Sequence, residues 1–283
     1  MIEINNISKH FGNVTALDDV TLSIGDGELF GIIGPDGAGK TTLFRILTTL
    51  LIPENGKATV DGFDTVSQMK DIRRHVGYMP GRFSLYQDLT VEENLKFFAT
   101  LFGTTIEEGY DSIHDIYSQI EPFKNRRAGA LSGGMKQKLA LSCALVHRPS
   151  VLFLDEPTTG VDPVSRKEFW QILQRLRKTG MTIVASTPYL DEVRQCERIA
   201  FINNGKICGT GTPEDILLQF KDIFCPEGLT YDEDKKNKDN DDVIVVKDLC
   251  KTFGTFHAVD HISFSVHNGE IFGFLGANGA GKT

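Results

Sequence analysis

Two glycine-rich stretches carry the chemistry most legible in this chain. Gly34-Pro35-Asp36-Gly37-Ala38-Gly39-Lys40-Thr41 runs on into Thr42 and Leu43, and Gly276-Ala277-Asn278-Gly279-Ala280-Gly281-Lys282-Thr283 repeats the spacing. The pattern G-x-x-x-x-G-K-[ST] needs glycines so that successive backbone N–H groups can curl round a polyphosphate. Lys40 then supplies a point charge to the β and γ oxygens, and the Thr41 hydroxyl can hold Mg2+. Lys282 and Thr283 hold the same two places in the second loop. Two such loops imply two nucleotide sites.

A second set of groups suits metal and water handling. Val151-Leu152-Phe153-Leu154 is a continuous apolar run, as expected of a strand buried on both faces, and it ends in Asp155-Glu156-Pro157. In open α/β sheets ligands bind at the carboxyl ends of strands. An aspartate there can hold Mg2+ through water, and the adjacent glutamate can orient or deprotonate an attacking water. Ahead of it, Leu131-Ser132-Gly133-Gly134-Met135-Lys136-Gln137-Lys138-Leu139 leads into a helix with Leu139, Leu141, Cys143, Ala144 and Leu145 among its apolar positions.

The elements that must position these groups follow from the flanking pattern. Each loop comes after an apolar run, Leu29 to Ile33 and Ile271 to Leu275, and Thr41 to Leu50 reads as a helix with Leu43, Ile46, Leu47 and Leu50 on one face. Strand, loop and helix together put the positive end of a helix dipole at the phosphate site. The repeat extends beyond the loops: the offset of 242 from Thr41 to Thr283 also maps Phe11-Gly12 onto Phe253-Gly254 and Gly27-Glu28 onto Gly269-Glu270, with no gap from Ile2 onward. A period this long is a domain duplication. The expected organisation is a first domain over 1–224, an acidic linker over 225–242, and the start of a second domain over 243–283, in a piece of a longer tandem protein.

Composition narrows the class. The first copy has the size of a single domain with its own core. Cys143, Cys196, Cys208, Cys225 and Cys250 lie without C-x-x-C spacing, which suits reduced thiols and gives no expectation of a cysteine metal site. Net charge is −8 and no basic patch stands out, so no nucleic-acid partner is expected. No apolar run reaches the ~18 residues of a membrane span, and the N-terminus lacks a signal peptide's pattern. Any membrane role must come through partners.

Taken in order, the Lys40 loop, Leu131-Ser132-Gly133-Gly134 and Asp155-Glu156 resemble the Walker A, signature and Walker B motifs of the ATP-binding cassette (ABC) ATPases. The resemblance covers essentially all of residues 1 to 220. It implies an α/β P-loop NTPase fold with a mainly parallel sheet core, an antiparallel β subdomain and a helical subdomain. It further implies that Ser132, Gly133 and Gly134 clamp the γ-phosphate of ATP held by the other domain's loop, the two domains packing head to tail. Phe11 matches the aromatic that stacks on adenine; the other reading of it is a core phenylalanine. Thr159-Gly160-Val161-Asp162 matches the D-loop, after which Asp162-Pro163 starts a helix with Phe169, Ile172, Leu173 and Leu176 inward. Thr90-Val91-Glu92-Glu93 is a capping box opening a helix in the stretch where, in the family, membrane partners dock.

Three positions depart from the family pattern. Gly81, in Tyr78-Met79-Pro80-Gly81, stands where the Q-loop carries a glutamine, and Pro188, in Ser186-Thr187-Pro188-Tyr189, replaces the switch histidine. Neither His147 nor His257 is placed by sequence to substitute for it. Asp36 replaces the usual asparagine, which Asn278 keeps. The first domain's own site is therefore expected to be impaired, and the site of Lys282, served by Ser132 to Gly134, to be the working one.

The phrase Phe83-Ser84-Leu85-Tyr86-Gln87-Asp88-Leu89-Thr90 and the signature's continuation look closest to ABC-2 type export ATPases, and the fused cassettes to a multidrug exporter subunit. That resemblance implies ATP and Mg2+ as cofactors, ABC-2 membrane permease subunits and a second cassette as partners, and a place on the inner face of the membrane. Two other readings stay open at this point: a tandem cassette protein acting on the ribosome, and a nucleotide-binding scaffold that does not hydrolyse.

Overall fold

A computed structural model of the chain describes residues 1–81, 85–224 and 242–273, without the side chains of Asp222 and Phe256. The described residues fall into two compact units: Met1–Val161 with Ser165–Lys221, and Asp162–Val164 with the residues from Asp222 on.

The first unit is built on two sheets. Its core sheet has six strands in the order β10-β9-β3-β8-β7-β6, namely Lys206–Gly211, Arg198–Asn203, Leu29–Ile33, Thr182–Ser186, Val151–Asp155 and Val76–Met79. All neighbours pair in parallel except β10 against β9. Every residue of β3, β7 and β8 is buried, as their unbroken apolar runs require when both faces are covered. Parallel pairing sends the carboxyl ends of β3, β6, β7 and β8 to one edge of the sheet. The residues that follow those ends therefore gather there.

The second sheet is antiparallel, in the order β2-β1-β4-β5, from Val14–Ile24, Ile2–Phe11, Asn55–Val60 and Phe63–Asp64. Ile2, Ile4 and Ile7 of β1 share one hydrophobic core with Phe30 and Ile32 of β3 and with Leu43, Phe44, Ile46 and Leu47 of α1 (Lys40–Leu47). Phe44 meets Phe153 edge-on at 5.6 Å, which seats α1 against β7. This helix is shorter than its pattern predicts. It ends at Leu47, Thr48 turns its hydroxyl back onto Phe44 O, Thr49 takes φ 62°, and Leu50 is exposed instead of completing the apolar face.

After α2 (Met69–His75) and β6, the chain forms three helices: α3 (Val91–Leu101), α4 (Ile106–Tyr117) and α5 (Gly133–Leu145), with α3 and α4 packed on α5. Capping boxes open α3 at Thr90/Glu93 and α4 at Thr105/Glu108. Beyond β7, α6 begins at Pro163 and runs to Lys178; it buries Phe169, Trp170, Ile172 and Leu173, while Leu176 is only half-buried. Short helices α7 (Leu190–Val193) and α8 (Pro213–Gln219) complete the unit, and α9 (Lys221–Phe224) runs across its end at Lys221. The fold is the α/β P-loop NTPase arrangement expected.

The strands of the second unit among its described residues form a hairpin of β11 (Asp242–Phe253) and β12 (Phe256–His267). Asp242 is thus strand, pairing with His267, where the sequence places it in the linker. The hairpin repeats the register of β1 and β2 across the 242-residue offset: Ile7↔Val20 becomes Leu249↔Ile262, Lys9↔Leu17 becomes Lys251↔Val259, and the three register shifts of β1 and β2 recur in the same places, with one more between Asp242 and Ile244. Ile271 to Gly273 form no strand, and Ile271 is 94% exposed. The equivalent β3 is held between β8 and β9, whereas the only strands among the described residues of the second unit are β11 and β12.

Candidate functional site

The loop between β3 and α1 owes its shape to three glycines. A Cβ on Gly34 would fall on the carbonyl oxygen of Ile202, and one on Gly39, at φ 111°, on that of Ala16. Gly37 differs: at φ 77° nothing lies within 4 Å of where its Cβ would be, so the loop opens to space there. Lys40 is 5% exposed, and its ammonium donates to Gly34 O at 2.8 Å and Pro35 O at 3.0 Å across the loop. Asp36 is exposed at the loop's crest, Ala38 is buried beneath it, and Thr42 is half-buried in the first turn of α1.

Asp155, at the end of β7, is the hub of the site. It accepts from Thr41 Oγ1 at 2.7 Å and from Ser186 Oγ at 2.7 Å, one bond to each carboxylate oxygen. A carboxylate and a hydroxyl oxygen converging beside a polyphosphate loop are a hard-cation donor set, suited to Mg2+. Glu156 follows with φ 48°, a left-handed conformation uncommon for a non-glycine residue. Its N–H donates to Ser186 O at 3.1 Å and is shared with Ser186 Oγ at 2.9 Å, and its carboxylate lies 3.8 Å from the Lys40 ammonium. Backbone strain of this kind is retained where surrounding bonds over-determine it, and it aims the side chain toward Lys40.

Sequence reasoning missed a buried polar chain behind this edge. Glu192, 3% exposed, accepts from Thr158 Oγ1 at 2.6 Å and from Thr187 Oγ1, and Arg166 lies 3.9 Å away. Gln137 of α5 donates to Pro157 O, which ties the helix after Ser132 to the turn after Glu156. No local pattern marks Gln137, whose partner is 20 positions away, or the bond from Thr158 to Glu192, which spans 34 positions; only Thr187, five positions before Glu192, is near it in the chain.

Other positions singled out by sequence lie apart from this hydrogen-bonded set. Ser132 is the N-cap of α5 and accepts from Met135 N at 3.4 Å. Gly134 is required by packing, because a Cβ there would stand 2.7 Å from Ser165 Oγ. Phe11, at the tip of the β1–β2 hairpin, is 48% exposed with the Lys9 ammonium 5.8 Å from its ring centre, so it is not a core phenylalanine. Gly81 faces the same edge: a Cβ would sit 3.0 Å from Asp155 O. Pro188 is exposed after Thr187. His147 is committed elsewhere, stacked on Phe102 at 3.8 Å with Nε2 3.1 Å from Val76 O, and burial pushes its pKa down. His257 is exposed in the second unit. The loop of Gly276, Asn278, Gly279, Ala280, Gly281, Lys282 and Thr283 lies outside the described residues, as do residues 225–241 of the linker.

Comparison with known proteins gives a consistent picture. Residues 17–159 match the family described as ABC transporter. The chain is 36% identical to the probable multidrug ABC transporter ATP-binding protein YbhF of Escherichia coli, in an alignment covering 100% of this chain and 63% of that protein's length. It is 38% identical to the ABC transporter ATP-binding protein NatA of Bacillus subtilis over 76% of this chain and 91% of that one. It is also 35% identical to the doxorubicin resistance ATP-binding protein DrrA of Mycobacterium tuberculosis, covering 79% and 69%. Among solved structures, an ATP-binding subunit of an ABC transporter superposes with TM-score 0.70 at 28% identity, over 78% of this chain and 93% of that one. The cassette MJ0796, in a dimeric post-hydrolysis state bound to ADP and Pi, superposes with TM-score 0.68 at 28% identity, over 75% and 99%.

Proposed function

The chain belongs to the ABC transporter family as an ATP-binding cassette ATPase, and from that premise we propose that it powers export of a small molecule through separate ABC-2 type membrane subunits. The observation that carries the ATP site is the convergence of Lys40, Thr41, Asp155 and Glu156, held by the 2.7 Å bond from Thr41 to Asp155 and the 3.8 Å approach of Glu156 to Lys40. Lys40 would bind the β and γ phosphates, Thr41 and Asp155 would hold Mg2+, and Glu156 would orient the attacking water. Mg2+, when bound, neutralises charge on the phosphate oxygens.

The first cassette's own site, in this reading, holds ATP better than it cleaves it. Gly81 has no side chain to offer to metal or water, Pro188 offers none to the γ-phosphate, and Asp36 adds a negative charge at the loop's exposed crest. The working site would then pair the Lys282 loop of a second cassette with Ser132, Gly133 and Gly134 of the first. The export reading draws on the relatives named for multidrug and doxorubicin resistance, and the chain spans 63% of the YbhF protein's length.

Among the described residues no helix is long and apolar enough to cross a membrane, and in this reading the permease is a separate partner. A groove of 720 Å³ between α2, β6 and α3, lined by Leu50, Arg73, Tyr78, Phe98, Leu101 and Phe102, offers it an apolar seat with a cationic rim. Leu101 is 63% and Leu50 59% exposed, and large apolar groups clustered on a surface mark an interaction face. Burial, with the Asp155 carboxylate adding to it, pushes the Tyr78 hydroxyl up to about 12, so it stays a neutral donor there.

The test is co-sedimentation of the longer tandem protein with membrane vesicles from its source cell. Binding to vesicles that is lost in Leu101→Glu, with ATP affinity unchanged, is the expected result. Sedimentation with ribosomes in place of membranes would overturn the reading.

A further inference from the structure

The hairpin of the second unit carries a ligand set that its counterpart in the first unit lacks. Cys250, Asp260 and His261 each offer a ligand atom, and these atoms lie within 4.8 Å of one another. His261 Nδ1 is hydrogen-bonded to the Asp248 carboxylate, and its Nε2 lies 3.7 Å from Asp260 Oδ1. The His261 N–H points at Cys250 Sγ, 3.2 Å away, which pins the sulfur beside the imidazole.

The first unit supplies an internal control. Across the 242-residue offset these residues correspond to Asn6, Ser8, Asp18 and Asp19. The backbone is the same: φ is 53° at Asn6 and 52° at Asp248, 55° at Asp19 and 47° at His261. The hydrogen bonds are the same too. Asp19 N donates to Ser8 Oγ at 3.1 Å as His261 N does to Cys250 Sγ, and Asn6 N donates to Thr21 Oγ1 at 3.1 Å as Asp248 N does to Ser263 Oγ at 2.9 Å. What differs is the chemistry. A hydroxyl has become a thiol, a carboxylate an imidazole, and an amide a carboxylate placed on that imidazole.

We propose that Cys250, Asp260 and His261 form a binding site for a borderline transition-metal dication, Zn2+ or its spectroscopic substitute Co2+, with Asp248 orienting the imidazole. Thiolate, imidazole and carboxylate together favour Zn2+ over hard cations such as Mg2+. Bonds of about 2.0 to 2.3 Å in a tetrahedral array need ligand atoms roughly 3.3 to 3.8 Å apart, which the exposed side chains reach by a modest shift of rotamer. An Asp248–His261 pair is the outer-carboxylate arrangement that fixes tautomer and ring orientation in metal sites. The thiolate and the Asp260 carboxylate balance the dication's charge, and the fourth position is left to solvent. In the first unit the equivalent positions stay exposed or half-exposed even though β1 is flanked by β2 and β4, so completing the second sheet in the same way leaves this face accessible.

The experiment is titration of the metal-free full chain with Co2+. One equivalent should produce a thiolate-to-cobalt charge-transfer band that Zn2+ displaces. Cys250→Ser should abolish the band, and Asp248→Asn should weaken binding about tenfold or more, the usual effect of losing an outer-shell partner. The triple variant Asp248→Asn, Cys250→Ser and His261→Asp restores the first copy's residues at the three positions that differ, so it keeps that copy's hydrogen bonds, including the one from Asn6 Nδ2 to Asp19 Oδ1, while losing the metal. Cys208→Ser and Cys225→Ser should change nothing. No saturable band in the parent chain, or a band that survives Cys250→Ser, overturns the assignment.

Discussion

Thr41 and Asp155, separated by 114 positions, meet at 2.7 Å, so the first turn of α1 and the end of β7 present their oxygens at a single point. Asp155→Asn keeps the shape and removes the charge that would hold Mg2+. ATP affinity measured with Mg2+ and with EDTA should differ in the parent chain and converge in the variant. A variant that still distinguishes the two conditions as the parent does would remove Asp155 from the metal site.

Lys40 is 5% exposed and reaches two carbonyls of its own loop. Lys40→Ala should abolish ATP binding in isothermal titration, because the loop's cation for the β and γ phosphates is gone. Unchanged affinity in a folded variant would sink the assignment.

Phe11 is 48% exposed at a hairpin tip, so its removal costs the fold little. If its ring stacks on adenine, the interaction is worth about 0.5 to 1.5 kcal/mol by analogy with aromatic pairs, and Phe11→Ala should weaken ATP roughly threefold to tenfold. The thermal transition should stay near that of the parent chain. A collapsed transition with intact affinity would reverse the reading.

In the longer tandem protein the two cassettes should divide the work. Glu156→Gln acts on a site that already lacks the Q-loop glutamine and switch histidine, so steady-state ATPase should change little. Ser132→Arg puts a bulky cation at the N-cap of α5, in the clamp proposed to serve Lys282, and should remove most turnover. The opposite pattern would show that the asymmetry is assigned the wrong way round.

His147 is held neutral by burial, with its pKa below the ordinary 6.5. A lowered value means that the folded state binds fewer protons than the unfolded one, so stability is full above pH 6.5 and declines as pH falls below it toward the folded-state value. The slope should not exceed about 1.4 kcal/mol per pH unit for this one group. Thermal unfolding between pH 7.5 and 5 should show the decline, and His147→Gln should flatten it. An unchanged slope in the variant would assign the decline to other groups.

Much of this protein is local enough to read along the chain. A Gly-rich loop between an apolar run and an amphipathic helix announces itself within a dozen residues, because backbone curl, helix dipole and lysine all act at short range. The acid pair after Val151–Leu154 is equally plain, and so is the duplication, since β11 and β12 repeat the three register shifts of β1 and β2. The end of α1 was not legible: Thr48 and Thr49 divert the backbone, and Leu50 leaves the core. Nor was the failure of Ile271 to join a strand, which depends on neighbours and not on the run's own hydrophobicity. Glu192 between Thr158 and Thr187, Gln137 on Pro157, and Cys250 beside His261 were invisible for a common reason. Cysteine spacing argued against a metal site because it counts residues along one strand, whereas strand pairing places a thiol and an imidazole 11 residues apart against each other across the ladder. Sequence spacing sets what a single turn, strand or helix presents; pairing register and side-chain packing, which are cooperative and long-range, decide which of those presented groups meet.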